Sequence, residues 1–177
     1  NGQYDGIYQV FWATGACMAI RAKLFYEMGG FDPYFFAHQE EIDLCWRLQN
    51  NGYKIYCNTQ SVIYHLGGGT LPKSNPRKTY LNFRNNLILL YKNMPRRRWH
   101  RIILIRLILD GIAALKFAVG SQPGEFWAVF KAHLSFYNYL LKKKSPRQSY
   151  GSLPLIYPKN IVYQYYIFKK KVFSDLH

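Results

Sequence analysis

The 177-residue sequence is short of acid. Nine Asp and Glu stand against 24 Lys and Arg, for a formal net charge of +15. The deficit is local: up to Leu71 six acidic side chains face four basic ones, a net of −2, whereas from Pro72 onward three face 20, a net of +17. Such asymmetry assigns an anionic partner to the back half alone, and nucleic acid and an anionic membrane surface are the two classes that fit. Cysteine is scarce as well. Cys17, Cys45 and Cys57 are odd in number, lie in apolar surroundings and form no CxxC, which argues against a disulfide framework or a zinc site and predicts buried thiols in a reducing compartment. The chain opens without an initiator methionine and without the basic and apolar stretches of a signal peptide, so it reads as part of a longer protein. It also lacks a Gly-rich phosphate loop, a paired DxD and any internal repeat. Long apolar runs are missing too. The nearest candidate, "RRRWHRIILIRLILDGIAALKFAVG" (96–120), carries Arg106, Asp110 and Lys116 inside it. Each costs roughly 2.5–3.5 kcal/mol near a bilayer centre, and an Arg106–Asp110 pair at i, i+4 recovers only part of that. The reading is a helix lying in an interface or packed on its neighbours.

What is present is enough apolar residue, 49%, for one domain with a real core. The front reads as alternating short strands and helices. "ATGACMAI" (13–20) is small and apolar like a buried strand, and "RAKLFYEMGG" is a two-turn helix stopped by Gly29 and Gly30. The next helix starts near Gln39 and ends at "NNG", with Gly52 just past its end. Within it Ile42, Cys45, Trp46 and Gln49 form one stripe, Glu41, Leu44 and Leu48 the adjoining one, and Glu40, Asp43 and Arg47 an opposite, wet face. "YKIYCN" and "SVIYHL" follow as two short strands, and "GGGT" as a loop. Beyond Pro72 the pattern is helical: Asn75 caps a helix with Pro76 at its first position, and Tyr80, Phe83, Leu87, Leu90, Tyr91 and Met94 recur at helical spacing up to Pro95. A third long helix, "EFWAVFKAHLSFYNYLLKKK", follows the "GSQPG" turn, and an aromatic-rich tail closes the chain.

Two adjacent glutamates at the head of the second helix are the most informative pair. Glu40 joins the stripe of Asp43 and Arg47, which predicts a solvated salt-bridge role. Glu41 projects with Leu44 and Leu48 toward the protein body. It is either a helix-start carboxylate favoured by the helix dipole or a general base facing a cleft, with partial burial beside Glu40 raising its pKa.

The stretch "WATGACMAIRAKLFYEMGGFDPYFFAHQEEIDLCWRLQNNGYKIYCNTQSVIYHLGGGT" resembles the acceptor-side half of family 2 glycosyltransferases, inverting enzymes with the GT-A fold. Four features match in order: the "TGA" strand; the "GGFD" turn followed by "FF"; an acidic pair leading into "IDLCWR"; and "GY" before a strand that ends in His ahead of a Gly-rich stretch. The resemblance implies an α/β fold. Residues 1–71 are then the C-terminal half of a GT-A-like catalytic domain with a partial mixed sheet and flanking helices. Residues 72–144 form a basic, amphipathic helical region that docks on a membrane, and 145–177 a basic aromatic tail. It implies transfer of a sugar from a nucleotide-sugar donor to a saccharide or lipid-linked acceptor, at the cytoplasmic face of the cell membrane. Glu41 takes the place of the base, where the usual residue is Asp, one methylene shorter. His65 falls where some relatives supply an imidazole to the divalent cation, Mg or Mn, that holds the diphosphate. Thr14, Gly15 and Ala16 would line the cleft, with His38 and Glu40 at its edge. The resemblance places the nucleotide-binding half, with its DxD, ahead of Asn1, and the portion at hand is expected to be inactive alone. Charge clusters at 96–98, 142–144 and 169–171 suit an anionic membrane surface. A nucleic-acid-binding module and a non-catalytic membrane-bound scaffold are the competing classes. No nucleic acid is expected, because no RNP-like or helix-turn-helix signature is present.

Overall fold

The computed structural model describes residues 5–65, 75–142, 159 and 161–172. Its α/β organisation is the expected one: a small sheet with flanking helices, followed by a predominantly helical region. Strand β1 (Ile7–Val10) pairs antiparallel with β2 (Ile55–Asn58), in a register that sets Ile7 opposite Asn58 and Val10 opposite Ile55. Gly6 and Thr59 extend the pairing through the Thr59 hydroxyl, which donates to the Gly6 carbonyl and accepts from its N–H, both at 2.8 Å.

Between the strands lie α1 (Ala22–Glu27) and α2 (Glu40–Asn50). Helix α1 ends where predicted, at Gly29 and Gly30, which take φ of 78° and 63°. A Cβ at Gly30 would stand 3.1 Å from the Phe25 ring, so the turn needs glycine for space as well as for φ. Helix α2 closes at Asn51, with Gly52 left-handed beyond it. Two predicted strands are absent. "ATGACMAI" instead holds a one-turn 3-10 helix, Gly15–Cys17, whose N–H at Ala16 is capped by the Thr14 hydroxyl. With no third strand among the described residues for this segment to pair with, the local side-chain cap decides its conformation. Residues 61–65 of "SVIYHL" likewise form no strand, and all five are exposed.

Three long helices follow: α3 (Pro76–Asn93), α4 (Arg96–Val119) and α5 (Pro123–Lys142), with a short α6 (Ile161–Tyr166) in the tail. Asn75 caps α3 as predicted, its side chain accepting from the Arg77 N–H at 2.9 Å. Helix α3 packs against both α4 and α5 and also meets α2. Its buried face carries Leu81, Leu87, Ile88 and Leu89 together with two asparagines, Asn85 and Asn93. The main core draws Phe35 and Trp46 from the front of the chain and Leu87, Ile88, Ile103, Phe136 and Tyr139 from the long helices. A smaller cluster sets Leu44 and Leu48 of α2 against Leu24 of α1. Helix α2 is therefore sandwiched, with α1 on one flank and α3 on another.

That position overturns the expectation for the supposed wet face of α2. Asp43 is fully buried, and its carboxylate meets Arg47 Nε at 2.9 Å, Lys92 Nζ at 2.9 Å and Asn93 Nδ2 at 2.9 Å. Lys92 also reaches Asp32 of the "GGFD" turn at 2.8 Å, while Arg47 donates to the carbonyls of Met28 and Gly30. The partner of Arg47 is thus Asp43, not Glu40. A face that looks solvated on α2 alone is covered because α3 brings its own cation and amide to it.

No helix among the described residues is long and apolar enough to cross a membrane. Two of the three polar residues that break the apolar run of α4 are paired, Arg106 meeting Asp110 at 2.8 Å and Asp110 also being reached by His133 of α5 at 3.2 Å, while Lys116 is exposed. The thiols divide. Cys45 is buried, as expected, but Cys17 and Cys57 are exposed, because the segments holding them lie outside the core.

Candidate active site at the head of helix α2

The segment leading into α2 has an unusual backbone. Phe36, His38 and Gln39 have φ of 63°, 68° and 74°, in the left-handed region that non-glycine residues avoid at about 1–2 kcal/mol each. Gln39 stands at the N-cap without capping α2 through its side chain. The first turn carries Glu40, Glu41 and Asp43 instead, whose charges complement the helix N-terminus.

What holds this loop comes from α3. Asn85, itself fully buried, points its amide nitrogen at the carbonyls of Phe35, Ala37 and His38, at 3.0, 2.8 and 2.7 Å. Arg84 Nη2 donates to the carbonyls of Tyr34 and Phe35 at 2.9 and 3.1 Å, and Arg84 Nε donates to Asn85 Oδ1 at 2.9 Å. An unpaired buried carbonyl costs about 1–3 kcal/mol, so a buried amide that serves several of them offsets much of the loop's strain.

Glu41 is partly buried on the side of α2 that faces the 3-10 turn. A Cβ built on Gly15 would lie 3.8 Å from Glu41 Cβ and 3.9 Å from its Cγ, so "TGA" and the second glutamate are neighbours. Glu41 Oε2 is enclosed and has no hydrogen-bond partner among the described residues. Burial raises the Glu41 carboxyl above its ordinary value; the backbone N–H groups of Glu41 and Gln39 and the nearby His38 oppose this, and the charge of Glu40 adds to it. Glu40 Oε2 and His38 Nε2 are likewise enclosed without a partner among the described residues. Thr14, Gly15 and Ala16 are exposed.

The structure thus brings Gly15, with Thr14 and Ala16 in the same turn, to Glu41, with His38 and Glu40 flanking it. His65 is exposed in the segment after β2. Among the described residues no group of three or more His, Cys, Asp and Glu could hold a metal ion. The described side chains do not make a metal centre by themselves. Arg84 and Asn85, which sequence reasoning missed, left one signal. Asn85 sits at i+4 from Leu81 and i−4 from Leu89, a polar residue in the middle of an apolar stripe.

The protein family described as "Glycosyl transferase family group 2" matches residues 3–142. Over 62 residues the chain is 34% identical to N-acetylglucosaminyl-diphospho-decaprenol L-rhamnosyltransferase of Mycobacterium tuberculosis, a match covering 34% of this chain and 20% of that protein. The same identity and coverage hold for the enzyme of a second strain. Low-salt glycan biosynthesis hexosyltransferase Agl10 of Haloferax volcanii is 27% identical over 88 residues, covering 49% of this chain and 29% of that one. The matched regions span less than a third of the length of these curated relatives. No solved structure matches.

Proposed function

The chain belongs to glycosyl transferase family group 2, and from that premise we propose that it is the acceptor-side part of an inverting, GT-A-type enzyme in which Glu41 is the general base. The observation that carries this reading is the enclosed, unpartnered carboxylate oxygen of Glu41, packed beside Gly15 and raised by burial toward the range in which a carboxylate accepts a proton efficiently. In a single displacement, the Glu41 carboxylate takes the proton of an acceptor hydroxyl while that oxygen bonds to the anomeric carbon of the donor. The nucleoside diphosphate departs with the bonding pair of the broken C–O bond. The acceptor class is a saccharide or a lipid-linked saccharide, a reading supported by the N-acetylglucosaminyl-diphospho-decaprenol in the name of one relative. A divalent cation would neutralise the departing diphosphate, and His65 is the candidate ligand that this chain would offer it.

The enzyme works, on this reading, as a peripheral protein on the cytoplasmic face of an anionic membrane. Leu104, Ile108, Ile112, Leu115 and Val119 form an exposed apolar stripe on α4, and Trp127, Phe130, Leu134, Tyr137 and Leu141 another on α5. Exposed cations, among them Arg97, Arg98, Arg101, Lys116 and Lys131, stand on the same two helices. Apolar stripes rimmed by cations suit the headgroup boundary of anionic lipid.

The test is Glu41→Gln in the full-length enzyme, read as nucleoside diphosphate release across a panel of nucleotide sugars and acceptors that begins with L-rhamnosyl donors and N-acetylglucosaminyl-diphospho-decaprenol. Turnover should fall by a factor of at least about 10² while the donor KM stays nearly constant. Normal turnover in the variant refutes the assignment.

A further inference from the structure

We propose that Asn85 and Arg84 of α3 are positioning residues for the Glu41 carboxyl, acting through the left-handed loop between Phe35 and Glu40. The inference rests on the reading of Glu41 as base and adds the residues that aim it.

The loop cannot hold its course by local preference. Three of its non-glycine residues are left-handed, and α2 begins at once after the last of them. Each carbonyl that these turns redirect toward α3 meets a donor there: those of Tyr34 and Phe35 meet Arg84, and those of Phe35, Ala37 and His38 meet Asn85. Gln39 adds a contact in the other direction, donating from Nε2 to the Asn82 carbonyl at 3.4 Å. The Arg84 Nε bond to Asn85 Oδ1 fixes which end of the amide faces the loop, so the asparagine cannot turn its oxygen toward the carbonyls. Arg84 is held in turn between two rings, 5.1 Å from the Tyr34 centroid and 5.2 Å from that of Tyr80. The Tyr80 hydroxyl meets Ser135 of α5 at 2.9 Å.

The consequence for chemistry follows from direction. Helix α2 carries Glu41 in its first turn, so the exit of the loop sets where that carboxyl stands relative to Gly15. An inert anchor and a positioning device would share the same bonds. They differ in what changes when the bonds are weakened. If α3 aims and shields Glu41, loosening the loop admits water to the carboxyl and lets its proton affinity relax toward that of an ordinary glutamate. The other titratable groups acting there are Glu40 and His38, with Cys45 one turn further along α2.

The experiment compares Asn85→Asp and Arg84→Lys with wild type in the full-length enzyme, using the donor and acceptor pair that gives turnover in the panel above. Asn85→Asp keeps the shape but loses the amide donors, and Arg84→Lys keeps the charge but loses the fork that bonds asparagine and carbonyls together. Both should lower kcat about 10- to 100-fold, with the donor KM changed less than about three-fold, and both should move the acid limb of the kcat/KM profile to lower pH. Arg84→Lys is the milder change and answers the question if Asn85→Asp does not fold. Wild-type kcat and an unmoved acid limb in a folded variant overturn the proposal while leaving Glu41 as base, provided that Glu41→Gln is inactive. A fall in kcat with the limb unmoved also overturns it, since that is the mark of a structural anchor alone. Normal turnover in Glu41→Gln removes the underlying reading instead.

Discussion

Replacing Asp43 with alanine is expected to destabilise the chain by about 3 kcal/mol, the lower end of what breaking a buried ion pair costs. Asp43 is fully buried, and the side chains of its cations Arg47 and Lys92 are only 16% and 12% exposed, so water cannot readily replace the lost carboxylate. The cost stays at the lower end because neither cation is orphaned. Lys92 keeps Asp32 at 2.8 Å, and Arg47 keeps the carbonyls of Met28 and Gly30. Were Asp43 on a wet face, its i, i+4 pairing with Arg47 would contribute only about 0.3–0.5 kcal/mol. The two accounts thus differ by nearly an order of magnitude, well outside experimental error. Urea unfolding followed by tryptophan fluorescence would show the midpoint falling at unchanged m. In thermal unfolding, at about 2–4 °C per kcal/mol for a chain of this size, Tm should fall by about 6–12 °C. Asp43→Asn keeps shape and an acceptor for Asn93 but removes the charge, and should fall between alanine and wild type. A double-mutant cycle with Lys92→Met should return a coupling of about 1–3 kcal/mol. Loss of less than about 0.5 kcal/mol in Asp43→Ala would refute the buried network.

Glu41 should behave in the opposite sense to Asp43. Burial raises its carboxyl above the ordinary 4.5, so the folded chain holds that proton more tightly than the unfolded one. Its stabilising contribution is therefore present below about pH 4.5 and lost as pH rises through the raised value. Glu41→Gln should melt above wild type at pH 7, with the gap closing near pH 4; an equal or lower Tm at pH 7 contradicts this. Of the three thiols, Cys17 and Cys57 should react with a thiol reagent in the native chain, and buried Cys45, whose thiol burial pushes up, only on unfolding; native labelling of Cys45 would show its packing to be wrong. Replacing Leu104, Ile108 and Leu115 with serine should weaken binding to phosphatidylglycerol vesicles at least about 10-fold, and undiminished binding, or tighter binding to an oligonucleotide, would remove the membrane face.

Helix ends and caps were legible in the sequence because their causes are local. Gly29, Gly30, Gly52, Asn75 and Pro76 stand where predicted, each fixed by its own backbone or side chain. The neighbourhood of Glu41 was legible only in part. Helical spacing turned that side chain inward, but its contact with Gly15 depends on a segment that spacing read as a strand and that folds as a 3-10 turn. Asp43 was misread for a related reason. On α2 alone it shares a polar stripe with Glu40 and Arg47, and nothing local announces that Lys92 and Asn93, about fifty residues later, will cover that stripe. The left-handed loop was invisible, since "FFAHQ" contains no glycine to suggest positive φ. Its geometry is imposed from α3.

The charge boundary at Pro72 does not divide the packing, and this bears on what the surplus of cations is for. Lys92 turns back to Asp32 and Asp43, Arg84 to the loop carbonyls, and Arg106 to Asp110. These three belong to internal wiring and are not available to an external anion. Arg97, Arg98, Arg101, Lys116 and Lys131 are exposed and are. Two kinds of basic residue therefore share one half of the chain, and they separate by experiment. Neutralising the exposed set should lower vesicle binding and its salt dependence while leaving unfolding unchanged, because each such cation contributes on the order of 1 kcal/mol to lipid attraction and little to the fold. Neutralising Lys92 or Arg84 should do the reverse. If the exposed set proved as damaging to stability as the buried one, the positive charge of the back half would be structural throughout, and a membrane would not be needed to account for it.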